Sequence, residues 1–329
     1  MISRPSATAP AISYTIFLLL LILTAYLHLA TVLITGLFGY LALQTLSAGR
    51  YRWAAVAVFL VLLAVLFYGF AFFVRQASVE LPEIVSTSVP KIVKYATSRG
   101  IELPFTDFDS LKSLAFDTAI KTSGYLGSFA RIATKEFLFL VVGVIVAISL
   151  FLSPKVDRAS LPAPQNLYAL HAQRMTDLFG SLFASFRRVM GAQVIISAIN
   201  TVLTGAFVYA AGLPYATVVT ILTFLCGLLP VVGNLLSNTL IVALGFTVSP
   251  HFAGWALLFL VVIHKLEYFL NSRIIGGRIR HPMWLTLLAL LVGERLMGIA
   301  GIILAPVFLN FIRNEASRYQ LPDSVSRQD

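Results

Sequence analysis

His264, Glu267 and Asn271 recur at i, i+3 and i+7 within "HKLEYFLN", a spacing that sets an imidazole, a carboxylate and an amide on one face of a helix. Ionisable groups inside an apolar segment are costly, and by default they mark an ion or substrate path. Lys265 is the nearest partner for the Glu267 carboxylate. The alternative is that Lys265 snorkels and Glu267 is solvated near the same membrane face.

A second polar group interrupts the stretch "GLLPVVGNLLSN": Pro230, Gly233, Asn234, Ser237 and Asn238. A bend at membrane depth exposes backbone N–H and C=O groups, so it is tolerated only inside protein or beside a watery cavity. Half-helix ends aimed at a midplane site are a common transporter device. The cluster therefore reads as a re-entrant tip, the alternative being a tight turn outside the membrane. Glu294 and Arg295 mark another tip, as a solvated turn or as a gate, and Gly293, Gly298 and Gly301 beside them would let helices approach closely.

Enzyme signatures are missing. The chain carries no H-E-x-x-H, G-x-S-x-G or Walker loop, and its apolar segments hold no aspartate. No catalytic residue, metal site or cofactor is assigned. Cys226 is the only cysteine, which rules out an intrachain disulfide.

The elements that must position these residues are membrane helices. Hydrophobic residues make up 58% of the chain and charged ones 12%, with a mean hydropathy of +0.89, far from the roughly 25% charged of soluble domains. The net charge of +10 comes from basic residues lying between apolar segments, which are topology signals and not a nucleic-acid patch. The fold class is all-α: a polytopic helical membrane protein with six full spans and two broken hairpins.

Residues 11–47 are long enough for two close antiparallel spans turning at "YLHLAT", with His28 at the turn. Further spans fall at about 53–73, 137–152, 189–211 and 252–271. Between Val189 and His264 no side chain is formally charged, and "GLP", "LPVVGN" and "SPH" leave two pieces, 215–229 and 234–247, that are too short to span and read as half-helices. Helical stripes at Val85, Val89, Ile92, Val93 and Ala96, and at His171, Met175, Leu178, Leu182 and Phe186, suit packing against neighbours or a membrane surface.

The chain thus divides into 1–74 with three spans, an extramembrane helical region over 75–135, a span and amphipathic helix over 136–188, a transport core over 189–313 and a tail over 314–329. Arg50, Arg52, the basic residues of 155–188, Arg273, Arg278, Arg280 and Arg313 then share one side, expected to be the cytoplasm with both termini in it.

"LLPVVGN", "LEYFLNSRIIGGRIRHP" and "LLVGERLMGIAGIILAPV" together resemble the autoinducer-2 exporter (AI-2E) family, the PerM-like permeases. The family's motif positions fall on Pro230 and Gly233, on Glu267 and Asn271, on Gly276, on His281 and Pro282, and on Gly293, Gly298, Gly301 and Pro306. The chain departs from the pattern at Leu240 and Ser272, where the family usually has proline. The resemblance implies a multi-pass inner-membrane permease of a bacterium or archaeon, forming a homo-oligomer with a pentamer among its expected states. Some members are regarded as autoinducer-2 exporters and others as sodium/proton antiporters.

The expected function is therefore secondary export of a small polar metabolite of the autoinducer-2 kind by alternating access. Its partners are the lipid bilayer, the solute and H+ or Na+, with no nucleic acid. In this reading the Pro230–Asn238 tip and the Gly293–Gly301 hairpin line a path, and Glu267 takes up or releases an ion. The alternatives are a Na+(Li+)/H+ antiporter and, from another class, a non-transporting membrane scaffold.

Overall fold

The computed structural model describes residues 8–47, 51–107, 109–111, 113, 125–153, 166–230, 232–275 and 282–318. Its helices are α1 (Thr8–Tyr26), α2 (Ala30–Leu46), α3 (Arg52–Ser98), α4 (Tyr125–Leu152), α5 (Leu167–Ala210), α6 (Ala216–Gly227), α7 (Val232–Val248), α8 (Pro250–Ile275) and α9 (Met283–Ala316). No strand occurs among the described residues, as expected of a chain whose backbone must satisfy its own hydrogen bonds in lipid.

By length and composition α3, Ala133–Leu152 of α4 and α5 are able to cross a membrane; Trp284–Ala316 of α9 has the same apolar character but is folded into two arms. The α1–α2 pair is bent by 114°. His28 forms that bend with φ of 55°, a left-handed conformation that histidine adopts more readily than branched residues do. The expected pair of close antiparallel spans is therefore a bent pair, with His28 at the turn. Large side chains along α3, from Val61 to Phe72, are exposed, as a lipid-facing surface requires.

Residue contacts group the chain into two compact units. The first contains residues up to Phe59, Thr134–Gly191 and residues from Ile279 onward. Its core joins Phe17 of α1, Leu178, Leu182, Phe186 and Met190 of α5, and Leu304, Val307 and Phe311 of α9. The stripe from His171 to Phe186 thus packs inside protein. Between helices in lipid, association depends on close fit more than on expelling water, and α2 and α4 show such a fit. A Cβ added at Gly143 would lie 2.9 Å from the Val32 carbonyl oxygen.

α9 is folded at Gly298, whose φ of 60° and ψ of −140° are not helical. Gly293 and Gly301 meet back to back across the fold, so that a Cβ at Gly301 would lie 1.8 Å from the Gly293 carbonyl oxygen. The sequence's second broken hairpin is this pair of arms.

The second unit contains Leu60–Ala133 and Ala192–Arg278. Ile84 of α3, Val208 of α5, Val219 of α6, Ile241 and Leu244 of α7, and Ala256 and Leu260 of α8 form its core. α6 and α7, of 12 and 17 residues, fall short of the roughly 20 a span needs. Gly212 and Tyr215, both at positive φ, turn the chain into α6. At the far end of the hairpin Ser249 Oγ accepts the Phe252 N–H at 3.1 Å and caps α8, with Pro250 in the first turn.

Two expectations change. The 189–211 span and the stripe before it are one helix, α5, and the 53–73 span continues through Val85–Ala96 as the single 47-residue α3 despite Pro82 and Pro90. Ser88 Oγ donates to the Ala243 carbonyl at 2.8 Å, and Lys91 Nζ donates to that of Thr247, tying this end of α3 to α7.

Candidate functional site

The α6–α7 tip is built by close approach. A Cβ at Gly233 would sit 1.6 Å from the Cys226 carbonyl oxygen, so only glycine lets the start of α7 lie against the end of α6. Leu229 N–H donates to the Cys226 carbonyl at 2.8 Å, and Gly233 N–H to that of Leu229 at 3.2 Å, closing the turn through Pro230.

Helix ends leave carbonyls without intrahelical donors, and here α5 supplies donors. Ser197 Oγ donates to the Phe224 carbonyl at 2.8 Å and Gln193 Nε2 to that of Gly227 at 2.6 Å. Gly227 is also required, because a Cβ there would lie 2.4 Å from Ser197 Oγ.

This fixed tip aims Asn234, in the first turn of α7, at Glu267 of α8. Asn234 Nδ2 is 2.8 Å from Oε1 and 2.8 Å from Oε2 of the carboxylate. Asn200 of α5 adds a third donor contact, Nδ2 to Oε2 at 3.3 Å. Asn200 is buried, and among the described residues its Oδ1 has no hydrogen-bond partner. A carboxylate held by two amides, with an unused amide oxygen alongside, offers oxygens to a proton or a small hard cation. Among the described residues Glu267 has no ion-pair partner.

The remaining candidates fall elsewhere. Ser237 is buried and donates to the Asn234 carbonyl at 3.3 Å, closing the first turn of α7. Asn238 and His264 line a groove along α7 and α8 that Lys265 shares. Asn271 lies on α8, while its side chain, Gly276 and His281 fall outside the described residues. Gly293, Glu294, Arg295, Gly298 and Gly301 form the folded tip of α9 in the first unit, with Glu294 and Arg295 exposed; Pro282 precedes that helix and Pro306 lies within it.

Gln193, Ser197 and Asn200 were not singled out in the sequence. Their i, i+4, i+7 spacing makes a polar face on the uncharged second half of α5, the same signal that marked Glu267. A buried carboxylate lies in the first unit, where no sequence motif marks it. Glu315 of α9 is 5% exposed and accepts from Tyr14 Oη at 2.9 Å, from Ser181 Oγ, and from Arg318 at 3.0 Å.

The AI-2E family transporter model matches residues 9–319. Over 138 residues the chain is 31% identical to a protein of Bacillus subtilis (strain 168) named "Putative transport protein YdbI", covering 40% of this chain and 39% of that one. Over 114 residues it is 38% identical to "Putative transport protein YueF" of the same organism, covering 31% of this chain and 30% of that one. The matched stretches thus span well under half the length of either relative. With the family match running through nearly every helix described above, the chain belongs to the AI-2E family of transporters.

Proposed function

We propose that this protein is a cation-coupled secondary transporter that exports a small polar metabolite of the autoinducer-2 kind, with Glu267 as the group that takes up and releases the coupling ion. The observation that carries the reading is the Glu267 carboxylate, gripped by Asn234 from the α6–α7 tip and by Asn200 from α5, without a cationic partner among the described residues. Ionisable side chains inside apolar helices are costly and by default mark an ion or substrate path. A scaffold role would leave the amide cage around Glu267 without a purpose.

Alternating access needs the ion site to sit on an element that moves or is reshaped. Half-helix ends aimed at a midplane site are the device many secondary transporters use for this. The protein is proposed to act as a homo-oligomer in the inner membrane with both termini in the cytoplasm.

A second reading, Na+(Li+)/H+ antiport at the same residues, is favoured by the orphan Asn200 Oδ1. An oxygen-only donor set beside a carboxylate suits an alkali cation exchanging with a proton. Purified protein in inside-out proteoliposomes, offered autoinducer-2 with and without a proton gradient, separates the two. Gradient-dependent accumulation supports the exporter. Sodium-driven proton movement without accumulation moves antiport to first place, and neither activity removes both.

A further inference from the structure

The groove beside the ion site has a composition of its own. It holds about 630 Å³ and belongs wholly to the second unit, within the roughly 300 to 1,000 Å³ typical of small-molecule sites. Ile92 of α3, Val242 and Phe246 of α7, and Leu257 and Val261 of α8 make most of its wall. At one end of the α8 wall the lining changes to His264 and Lys265, with Asn238 opposite on α7.

Lys265 is exposed and, among the described residues, makes no ion pair. Counted from Pro250, it lies 15 residues along α8, or roughly 22 Å at 1.5 Å per residue. An ammonium there, at the head of an apolar trough, has its own carboxylate neighbour turned away: Glu267 is engaged with Asn234 and Asn200. Arg273, Arg278 and Arg280 follow in the sequence and make this stretch strongly basic.

We infer that this groove is a binding site for one anionic phospholipid, its acyl chain along α7 and α8 and its phosphate on Lys265. The apolar wall accepts a hydrocarbon tail, and the cationic end selects the headgroup. A zwitterionic lipid would place a quaternary ammonium near Lys265 as well as a phosphate, so it gains less. Because the lipid would lie against the two helices that carry Asn234 and Glu267, its occupancy would also bear on the ion site. The inference does not depend on which solute is transported.

Native mass spectrometry of the purified full chain tests it, with phosphatidylglycerol and phosphatidylcholine of identical acyl chains added in competition. Wild-type protein should retain phosphatidylglycerol over phosphatidylcholine by about fivefold, the preference expected from one lysine at an anionic surface. Lys265→Gln should abolish that preference while still holding either lipid, and Lys265→Arg should restore it. Lys265 is exposed, so neither change threatens the fold. Ala243→Trp, which fills the trough, should lower retention of both lipids. Equal retention of the two lipids by the wild type, or a preference unchanged in Lys265→Gln, would overturn the inference. So would an Ala243→Trp protein that keeps its lipids and loses its oligomeric mass, which would make the groove a contact between copies.

Discussion

Asn234 Nδ2 stands 2.8 Å from both carboxylate oxygens of Glu267, so one amide from a half-helix tip holds an acid on the next helix in a fixed orientation. Hydrogen bonds to charged groups contribute about 1.5 to 3 kcal/mol. In the proposed mechanism this contact would link the position of the tip to ion binding at Glu267. Protonation or cation binding at the carboxylate would change the strength of the contact that holds the tip.

Glu267→Gln keeps the shape and removes the charge. Gradient-driven transport in proteoliposomes should be lost, while the melting temperature stays within a few degrees of wild type because a neutral amide replaces a group that is costly in lipid. Coupled transport at the wild-type rate in this variant would remove Glu267 from the mechanism.

Asn200→Ala deletes one 3.3 Å donor and an Oδ1 that has no partner among the described residues. The expected result is a half-saturating cation concentration raised about tenfold, equivalent to about 1.4 kcal/mol. Asn234→Ala, which removes the two shorter contacts, should have the larger effect. Concentration series for the two variants and wild type would rank them, and the reverse order would show that Asn200 is the principal ligand.

Gly233→Ala should open the tip, since its Cβ would overlap the Cys226 carbonyl. Overpacking of this kind costs roughly 1 to 3 kcal/mol, visible as a lower melting temperature together with lost transport. Gly191→Ala is the control. No atom lies within 4 Å of a Cβ at Gly191, and in the interior of α5 alanine should stabilise by about 0.5 to 1 kcal/mol.

Gly298→Ala probes the other fold. Its φ of 60° with ψ of −140° lies where side-chain-bearing residues cost about 1 to 3 kcal/mol. Gly301→Ala adds a clash with the Gly293 carbonyl. Both should reduce thermal stability, the second more strongly, as read in a thiol-independent unfolding assay.

Glu315→Gln tests the buried carboxylate of the first unit. Replacing it leaves Tyr14, Ser181 and Arg318 with a weaker acceptor. A loss of about 1.5 to 3 kcal/mol is expected, and Tyr14→Phe should lose less. An unchanged melting temperature in Glu315→Gln would mean that the three donors find water equally well.

Much of the fold was legible because its punctuation is local. His28, Gly212 and Ser249 mark turns through backbone and capping preferences that need no distant partner, and Gly233 and Gly298 stand where the chain folds back. What was not legible has a physical cause too. A stripe that continues an apolar helix differs from one that begins a new helix only in packing, so α3 and α5 were each divided in two. Asn200 is not legible in the sequence, because a single asparagine in an apolar stretch carries no charge to mark it.

By itself the sequence determined a helical membrane protein of the AI-2E pattern, the breaks that make two hairpins, and an acid at Glu267 on a largely apolar helix. The AI-2E pattern rests on motif resemblance, and the other properties follow from composition and from residue-by-residue backbone preference. Only the tertiary structure decided that Asn200 and Asn234 meet Glu267, that Asn238 and His264 line the groove with Lys265, and that Gln193 and Ser197 close the tip. Helical spacing determines which side chains share a face, whereas the helix that a face meets depends on close approach at Gly227, Gly233 and Gly245, where the absence of a Cβ lets one backbone lie on another.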